Sequence, residues 1–190
     1  TAKNSAPGSA RDDAGMSRLR VTELFVLVAI ILMIIGGGLR ILSAMTLTPH
    51  VDEASSLLAG HAVLDRGVPI LPSGTVYMQG ATLSYLIAPL IALGFDDLSD
   101  FLALRMLVVA AGTAAIWFAF RLGHVLTGNP RVGIVMAALI ALDPLSIQWS
   151  GHLRMYGLLQ VLTIGLALAW TLLLARGPSW PRMLVVIALY

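Results

Sequence analysis

Cysteine is absent from this 190-residue sequence, and charged residues make up only 12% of it. Without cysteine the chain can have neither a disulfide framework nor a thiolate metal site. Ordinary soluble domains carry about 25% charged residues, so the low charge excludes an ordinary soluble protein. Hydrophobic residues account for 58% of the sequence. This composition predicts an all-α, polytopic membrane protein.

Basic residues are few and scattered, with 12 Lys and Arg against 10 Asp and Glu. Because they are spread among predicted loops, they indicate membrane topology and no nucleic-acid partner is expected. Eight of the twelve lie where the positive-inside tendency assigns cytoplasmic ends, namely Lys3, Arg11, Arg18, Arg20, Arg121, Arg131, Arg176 and Arg182. We therefore expect a multi-pass protein of the cell membrane with a cytoplasmic N-terminus.

Four apolar runs are long enough to span a membrane, near residues 24–42, 101–122, 132–149 and 155–175. A fifth starts at residue 183, so residues 21–190 are expected to form the N-terminal portion of a longer transmembrane domain. Residues 1–20 contain few large apolar side chains and are expected to be a disordered cytoplasmic tail. Arg40, near the end of the first run, is expected to snorkel to the interface.

Residues 49–98 form the predicted outer loop. Its residues 52–65 resemble an amphipathic helix, and residues 81–95 form a short apolar helix that contains Pro89. Neither is long and apolar enough for a full span, so both are expected to lie along the outer surface. Acidic residues gather on the same predicted side, namely Asp52, Glu53, Asp65, Asp96, Asp97, Asp100 and Asp143.

Asp52 and Glu53 are the leading candidates for chemistry, because two adjacent carboxylates stand where the first apolar run ends. Such a pair is costly to bury and can meet a polar substrate at the water edge. A cap is an equally plausible role for Asp52, since its carboxylate could accept hydrogen bonds from the first backbone N–H groups of a helix. With His50, the pair also makes a weak pattern for a divalent cation, without further ligands nearby.

Two further stretches carry candidate binding residues. Arg154 could grip a phosphate through its forked guanidinium, with His152 and Tyr156 beside it, or could simply anchor a helix at the interface. Tyr77, Gln79 and Tyr85 could offer hydroxyls and an amide to a sugar, or form part of an aromatic belt.

The order of these motifs resembles that of a known family. An anchor helix is followed by Asp52-Glu53, a Pro-rich loop, a Tyr77-x-x-Gly80-x-x-x-x-Tyr85 pattern and Leu104-Arg105 opening the next span. This order is similar to the C-type membrane glycosyltransferases, in particular the bacterial relatives of protein O-mannosyltransferases and the lipid A aminoarabinose transferase. The segment from Ser150 to Arg154-Met155-Tyr156 is similar to a Ser-Gln-Glu-Ala-Arg-x-Tyr stretch in one branch of them.

The resemblance implies an inverting transfer of a sugar from a polyprenyl-phosphate donor to a lipid, glycan or protein acceptor at the outer face. Asp52 would be the general base, with Glu53 beside it. Arg154, or else Arg105, would bind the donor phosphate, and Tyr77, Gln79, Tyr85, His152 and Tyr156 would contact substrate. No cofactor is implied beyond the alternative of a divalent cation.

The chain also departs from that family. Aminoarabinose transferases carry Lys-Pro where this chain has Gly80-Ala81, and His152 replaces the acidic residue of the related stretch. The rival interpretation is a transporter or a non-catalytic membrane scaffold in which Asp52 and Arg154 form an ion pair. Transporters usually place ionisable groups and broken helices near the bilayer midplane. Because the second, third and fourth predicted spans carry no such charge, the sequence favours interfacial chemistry.

Overall fold

The computed structural model describes residues 9–96 and 100–189, which form eight α-helices and a short 3-10 helix at Met78–Gly80. The α-helices are α1 Ser9–Thr46, α2 Val51–Arg66, α3 Ala81–Ala92, α4 Phe101–Thr127, α5 Pro130–Leu142, α6 Pro144–Ser150, α7 Met155–Arg176 and α8 Trp180–Leu189. The predicted all-helical class is confirmed for the described residues. Asp97, expected among the acidic residues of the loop, lies outside them.

In the described part of the chain, three helices are long and apolar enough to cross a membrane: Glu23–Thr46 of α1, Phe101–Thr127 and Met155–Arg176. Only 17% of the apolar window of α1 and 11% of that of α7 are buried in the protein, whereas 44% of the α4 window is buried. α4 is therefore the central helix, packed against α1, α5 and α7. Apolar side chains left exposed on α1 and α7 suit contact with lipid.

The first helix begins earlier than the sequence predicts. Residues 9–20, expected to be a disordered tail, are helical and continuous with the apolar part of α1. Once a long apolar helix exists, each added residue gains one backbone hydrogen bond without a new nucleation step. Ala and Arg, which recur in this stretch, are also good helix formers.

The predicted third span is broken. α5 ends at Leu142 and α6 begins at Pro144, and the two axes are bent by 58°. Proline has no backbone N–H, so in a continuous helix the carbonyl of Ile140 would lose its donor at Pro144. Asp143 caps the new helix, its Oδ2 accepting from the N–H of Ser146 at 2.7 Å.

Arg40 from α1 fits into this break. Its Nη2 donates to the carbonyl of Ile140 at 2.8 Å and to the hydroxyl of Ser146 at 2.7 Å. The guanidinium thus replaces the donor that Pro144 lacks, as neighbouring helices commonly do at membrane prolines. Arg40 is fully buried. The prediction that it snorkels to an interface is wrong, because its hydrogen-bond acceptors lie inside the bundle.

α2 and α3 form a helical hairpin over one end of the bundle. Gly67 ends α2 in the left-handed conformation, with φ of 73°, and its carbonyl accepts a hydrogen bond from the Tyr85 hydroxyl at 2.9 Å. Leu57 of α2 and Ile87 of α3 join one buried apolar cluster with Leu104 of α4. The helices predicted over residues 52–65 and 81–95 are therefore both present, at Val51–Arg66 and Ala81–Ala92.

Candidate functional site

The start of α2 is capped by His50, not by Asp52. The Nδ1 of His50 accepts from the N–H of Asp52 at 3.2 Å, and Glu53 Oε2 accepts from the N–H of His50 at 2.9 Å. Together these bonds form a capping box. The interpretation of Asp52 as the helix cap is therefore wrong, since Asp52 already lies within the first turn and its side chain faces elsewhere.

Glu53 and Arg105 form a buried ion pair at the junction of α1, α2 and α4. Arg105 Nε donates to Glu53 Oε1 at 2.8 Å and its Nη2 to Oε2 at 2.7 Å, a two-pronged geometry. The other guanidinium nitrogen, Nη1, donates to the carbonyls of Ala44 and Leu47 at the end of α1. The N–H of Leu153 also donates to Glu53 Oε1, at 2.6 Å.

Burial on its own raises the pKa of Glu53. The hydrogen bonds from Arg105 and from the N–H groups of Leu153 and His50, together with the positive charge of Arg105, outweigh it and lower the pKa below the usual range. Glu53 is 0% exposed and Arg105 4% exposed. Neither side chain can reach a substrate in this conformation, so the geometry favours a positioning role over direct catalysis or phosphate binding.

Asp52 and Arg154 form a second, half-open ion pair on the neighbouring face of α2. Arg154 Nη1 lies 2.9 Å from Asp52 Oδ2, with the Asp52 side chain 43% exposed and that of Arg154 13% exposed. His50 Nδ1 lies 3.5 Å from the same carboxylate oxygen. The two residues that the sequence predicts as base and phosphate ligand are thus in contact, although they are far apart in the chain.

Tyr77 and Tyr156 flank this pair. The Tyr77 hydroxyl lies 3.5 Å from Arg154 Nη1 and 3.4 Å from the Ser56 hydroxyl. The Arg154 guanidinium carbon lies 5.6 Å from the centre of the Tyr156 ring, a cation–π distance. Both rings hold Arg154 from the side while leaving Asp52 accessible.

His152 lies behind the pair and is buried, its ring Nδ1 within 3.1 Å of the Gln148 carbonyl and its centroid 6.2 Å from that of His50. Tyr85 is directed to Gly67 at the far end of the hairpin. The exposed Gln79 has no side-chain hydrogen bond to another described residue. The structure thus brings Tyr77 and Tyr156 to Asp52 and Arg154, places His152 behind them, and gives Gln79 and Tyr85 no contact with the pair.

Among residues 9–96 and 100–189, no group of three or more potential metal ligands comes together. His50 and Asp52 are adjacent, but Glu53 turns inward to Arg105. The described part of the chain therefore offers no support for the divalent-cation alternative.

Sequence reasoning missed the contributions of His50 as a cap and of the Leu153 N–H as a carboxylate ligand. A His-x-x-Glu capping box has no strong sequence signal, because Ser, Thr, Asp and Asn dominate helix caps. The Leu153 N–H has no sequence signal at all, since any residue supplies that donor.

The chain matches no protein-family model, no curated protein and no solved structure.

Proposed function

We propose that the protein is a membrane glycosyltransferase that moves a sugar from a polyprenyl-phosphate donor to an acceptor at the outer face of the cell membrane. The observation that carries the proposal is the half-exposed Asp52 carboxylate, 2.9 Å from the guanidinium of Arg154. A general base and an anion-binding group thus share one accessible position. The resemblance in motif order supports the same chemistry.

In the proposed reaction the acceptor hydroxyl oxygen attacks the anomeric carbon of the donor sugar. Its proton passes to the Asp52 carboxylate as the new bond forms. The bond between the anomeric carbon and the phosphate oxygen breaks on the opposite face, and the polyprenyl phosphate leaves with the electron pair. Attack and departure on opposite faces invert the anomeric configuration.

Arg154 would stabilise the negative charge that develops on the leaving phosphate. Arg154 contacts the carboxylate of Asp52, so a bound phosphate would compete with this carboxylate for the guanidinium. Loss of the Asp52 contact would leave the carboxylate free to accept a proton. Tyr156, over whose ring Arg154 lies, would keep the guanidinium in place during this exchange.

Glu53 and Arg105 would position the site without contacting substrate. Glu53 accepts from the N–H of Leu153, the residue directly before Arg154, at 2.6 Å. The same carboxylate accepts from the N–H of His50, two residues before Asp52. One buried side chain therefore ties together the two backbone segments that carry the proposed base and phosphate ligand.

The decisive experiment replaces Asp52 with Asn in the purified protein and measures turnover of a polyprenyl-phosphate sugar. Asn is nearly the same shape but is not basic, so we expect turnover to fall roughly 10²–10⁴-fold while the protein stays folded. Asp65→Asn is the matched control, because Asp65 is an exposed carboxylate at the other end of the same helix. Near wild-type turnover by Asp52→Asn would exclude Asp52 as the base.

A transporter is the second candidate, and one pair of observations favours it. The buried Arg40 and the 58° bend at Asp143 resemble the broken helices and buried charges of transporter sites. Solute flux through vesicles containing the protein, insensitive to Asp52→Asn, would favour this second function over sugar transfer.

A further inference from the structure

A half-open cavity of about 180 Å³ lies where α5 gives way to α6, against the first turns of α7. Asp143, Ser146, Ser150 and Gln160 provide its polar wall, and Trp149 and Tyr156 its aromatic wall. Tyr156 also borders Arg154, so the cavity adjoins the Asp52–Arg154 pair. It exists because Pro144 breaks the helix there.

The side chain of Gln160 is oriented by a chain of hydrogen bonds. Arg40 Nη2 donates to the Ser146 hydroxyl at 2.7 Å, which in turn donates to Gln160 Oε1 at 2.9 Å. Arg40 has only donors, so the Ser146 hydroxyl accepts from it and keeps its own proton for Gln160 Oε1. The Gln160 amide nitrogen, which has no partner among the described residues, is therefore left as a donor beside the cavity.

Ser150 supplies a second group without a partner. Among the described residues its buried hydroxyl has no hydrogen-bond partner, and its oxygen packs against Gly112 of α4 at the back of the cavity. An unsatisfied buried hydroxyl costs roughly 1–3 kcal/mol, so this wall of the cavity is polar but offers no open donor to a ligand.

The charges around the cavity favour a neutral ligand. An anion would face the Asp143 carboxylate, which lines the wall. A cation would compete with Arg154, which already lies over the Tyr156 ring, and would approach the buried Arg40 through Ser146. Trp149 and Tyr156, with ring centres 4.8 Å apart, present flat apolar surfaces next to these hydroxyl and amide groups.

We propose that this cavity binds the ring of a neutral, hydroxyl-rich molecule, namely a monosaccharide unit. An apolar ring face against the aromatic wall and a hydroxyl that accepts from the Gln160 amide nitrogen would suit both halves of the lining. The cavity thus forms a binding subsite distinct from the Asp52–Arg154 pair, although its assignment as a subsite for the transferred or accepting sugar rests on the proposed function.

The experiment titrates the purified protein with a panel of methyl hexosides and methyl pentosides and follows tryptophan fluorescence. We expect at least one glycoside to quench the emission saturably, and Trp149→Phe to remove this signal. Gln160→Glu keeps the acceptor for Ser146 but removes the free donor, so it should raise the Kd at least tenfold, as the loss of one hydrogen bond predicts. Gln148→Glu is the matched control on an exposed face of α6 and should leave the Kd within twofold.

The proposal is overturned if no glycoside in the panel quenches, or if Gln160→Glu and Gln148→Glu bind equally well. It is also overturned if tetramethylammonium quenches saturably and the glycosides do not, since the aromatic wall would then be a cation site. These probes carry no phosphate, so they test the cavity separately from the proposed phosphate-binding role of Arg154. Glycoside binding without any sugar transfer would refute the proposed function alone, and transfer without glycoside binding would refute the subsite alone.

Discussion

The two carboxylate–guanidinium pairs at the start of α2 differ in how much of each is exposed to solvent. Asp52 and Glu53 are neighbours in the chain and each contacts an arginine, yet Glu53 is completely buried whereas the Asp52 side chain is 43% exposed. The buried pair has four further backbone partners, from His50, Leu153, Ala44 and Leu47. The exposed pair has few protein partners and keeps contact with solvent.

Two neighbouring carboxylates can therefore have different roles. A buried pair is costly to break, because removal of one partner leaves an uncompensated charge. A half-exposed pair exchanges partners at less cost, since water can stabilise the Asp52 carboxylate when it is released. In the proposed function, Glu53 and Arg105 are accordingly the support, and Asp52 and Arg154 are the pair accessible to a ligand.

The largest effect is expected from Glu53→Gln, which leaves Arg105 buried without a counter-charge. We expect a loss of about 3–5 kcal/mol in the free energy of unfolding. Chemical unfolding in detergent, followed by circular dichroism, measures it. Asp65→Asn removes an exposed carboxylate from the same helix and should change stability little. A Glu53→Gln protein as stable as this control would remove the contrast between the two pairs.

Acid should weaken the buried pair specifically. The folded-state pKa of Glu53 lies below its ordinary value of 4.5, so the stabilisation is fully present above that value and is lost as pH falls through the folded pKa. Melting temperatures between pH 7 and pH 3 test this expectation. The decline in acid should be steeper for wild type than for Glu53→Gln, whose side chain cannot titrate. Parallel curves would show that Glu53 contributes no acid sensitivity.

Arg154→Lys tests the exposed pair through function. Lysine keeps the positive charge but loses the planar fork and the stacking on Tyr156. We expect the KM for the polyprenyl-phosphate sugar to rise roughly tenfold, with the melting temperature close to wild type. Arg66→Lys, at the exposed end of α2, is the matched control. An unchanged KM would reduce Arg154 to a structural anchor.

The smallest effect is expected for Asp52→Asn on stability. The exposed pair contributes at most about 1 kcal/mol, and His50 rather than Asp52 caps the helix. Thermal unfolding of the variant beside wild type measures the difference. A loss as large as that of Glu53→Gln would contradict the comparison, because it would make both pairs structural.

Much of the helical framework could be predicted from the sequence, because the length of an apolar run alone indicates a candidate span. The apolar helices of α1, α4 and α7 follow this rule. The break at Pro144 was missed since residues 132–149 are apolar throughout most of their length. Whether a proline only kinks a helix or divides it depends on distant partners, here Arg40.

The sequence singles out Asp52, Glu53 and Arg154, but it does not predict how they are arranged. Because both acidic residues stand at the end of an apolar run, the sequence indicates Asp52 and Glu53 equally as candidates. Successive residues of an α-helix, however, point in directions about 100° apart, so one faces the bundle and the other the solvent. Which one faces inward depends on distant partners, namely Arg105 of α4 and the N–H of Leu153, and no local pattern encodes it.

Arg40 sets an order of events during synthesis. Its partners Ile140 and Ser146 follow it by 100 and 106 residues. At a translation rate of about 5–20 residues per second, roughly 5–20 s pass between the synthesis of Arg40 and that of these partners. Until then the guanidinium needs other hydrogen-bond acceptors, such as water, because a buried charge without partners is costly. The final position of the first helix in the bundle can therefore be fixed only after the broken helix has been made.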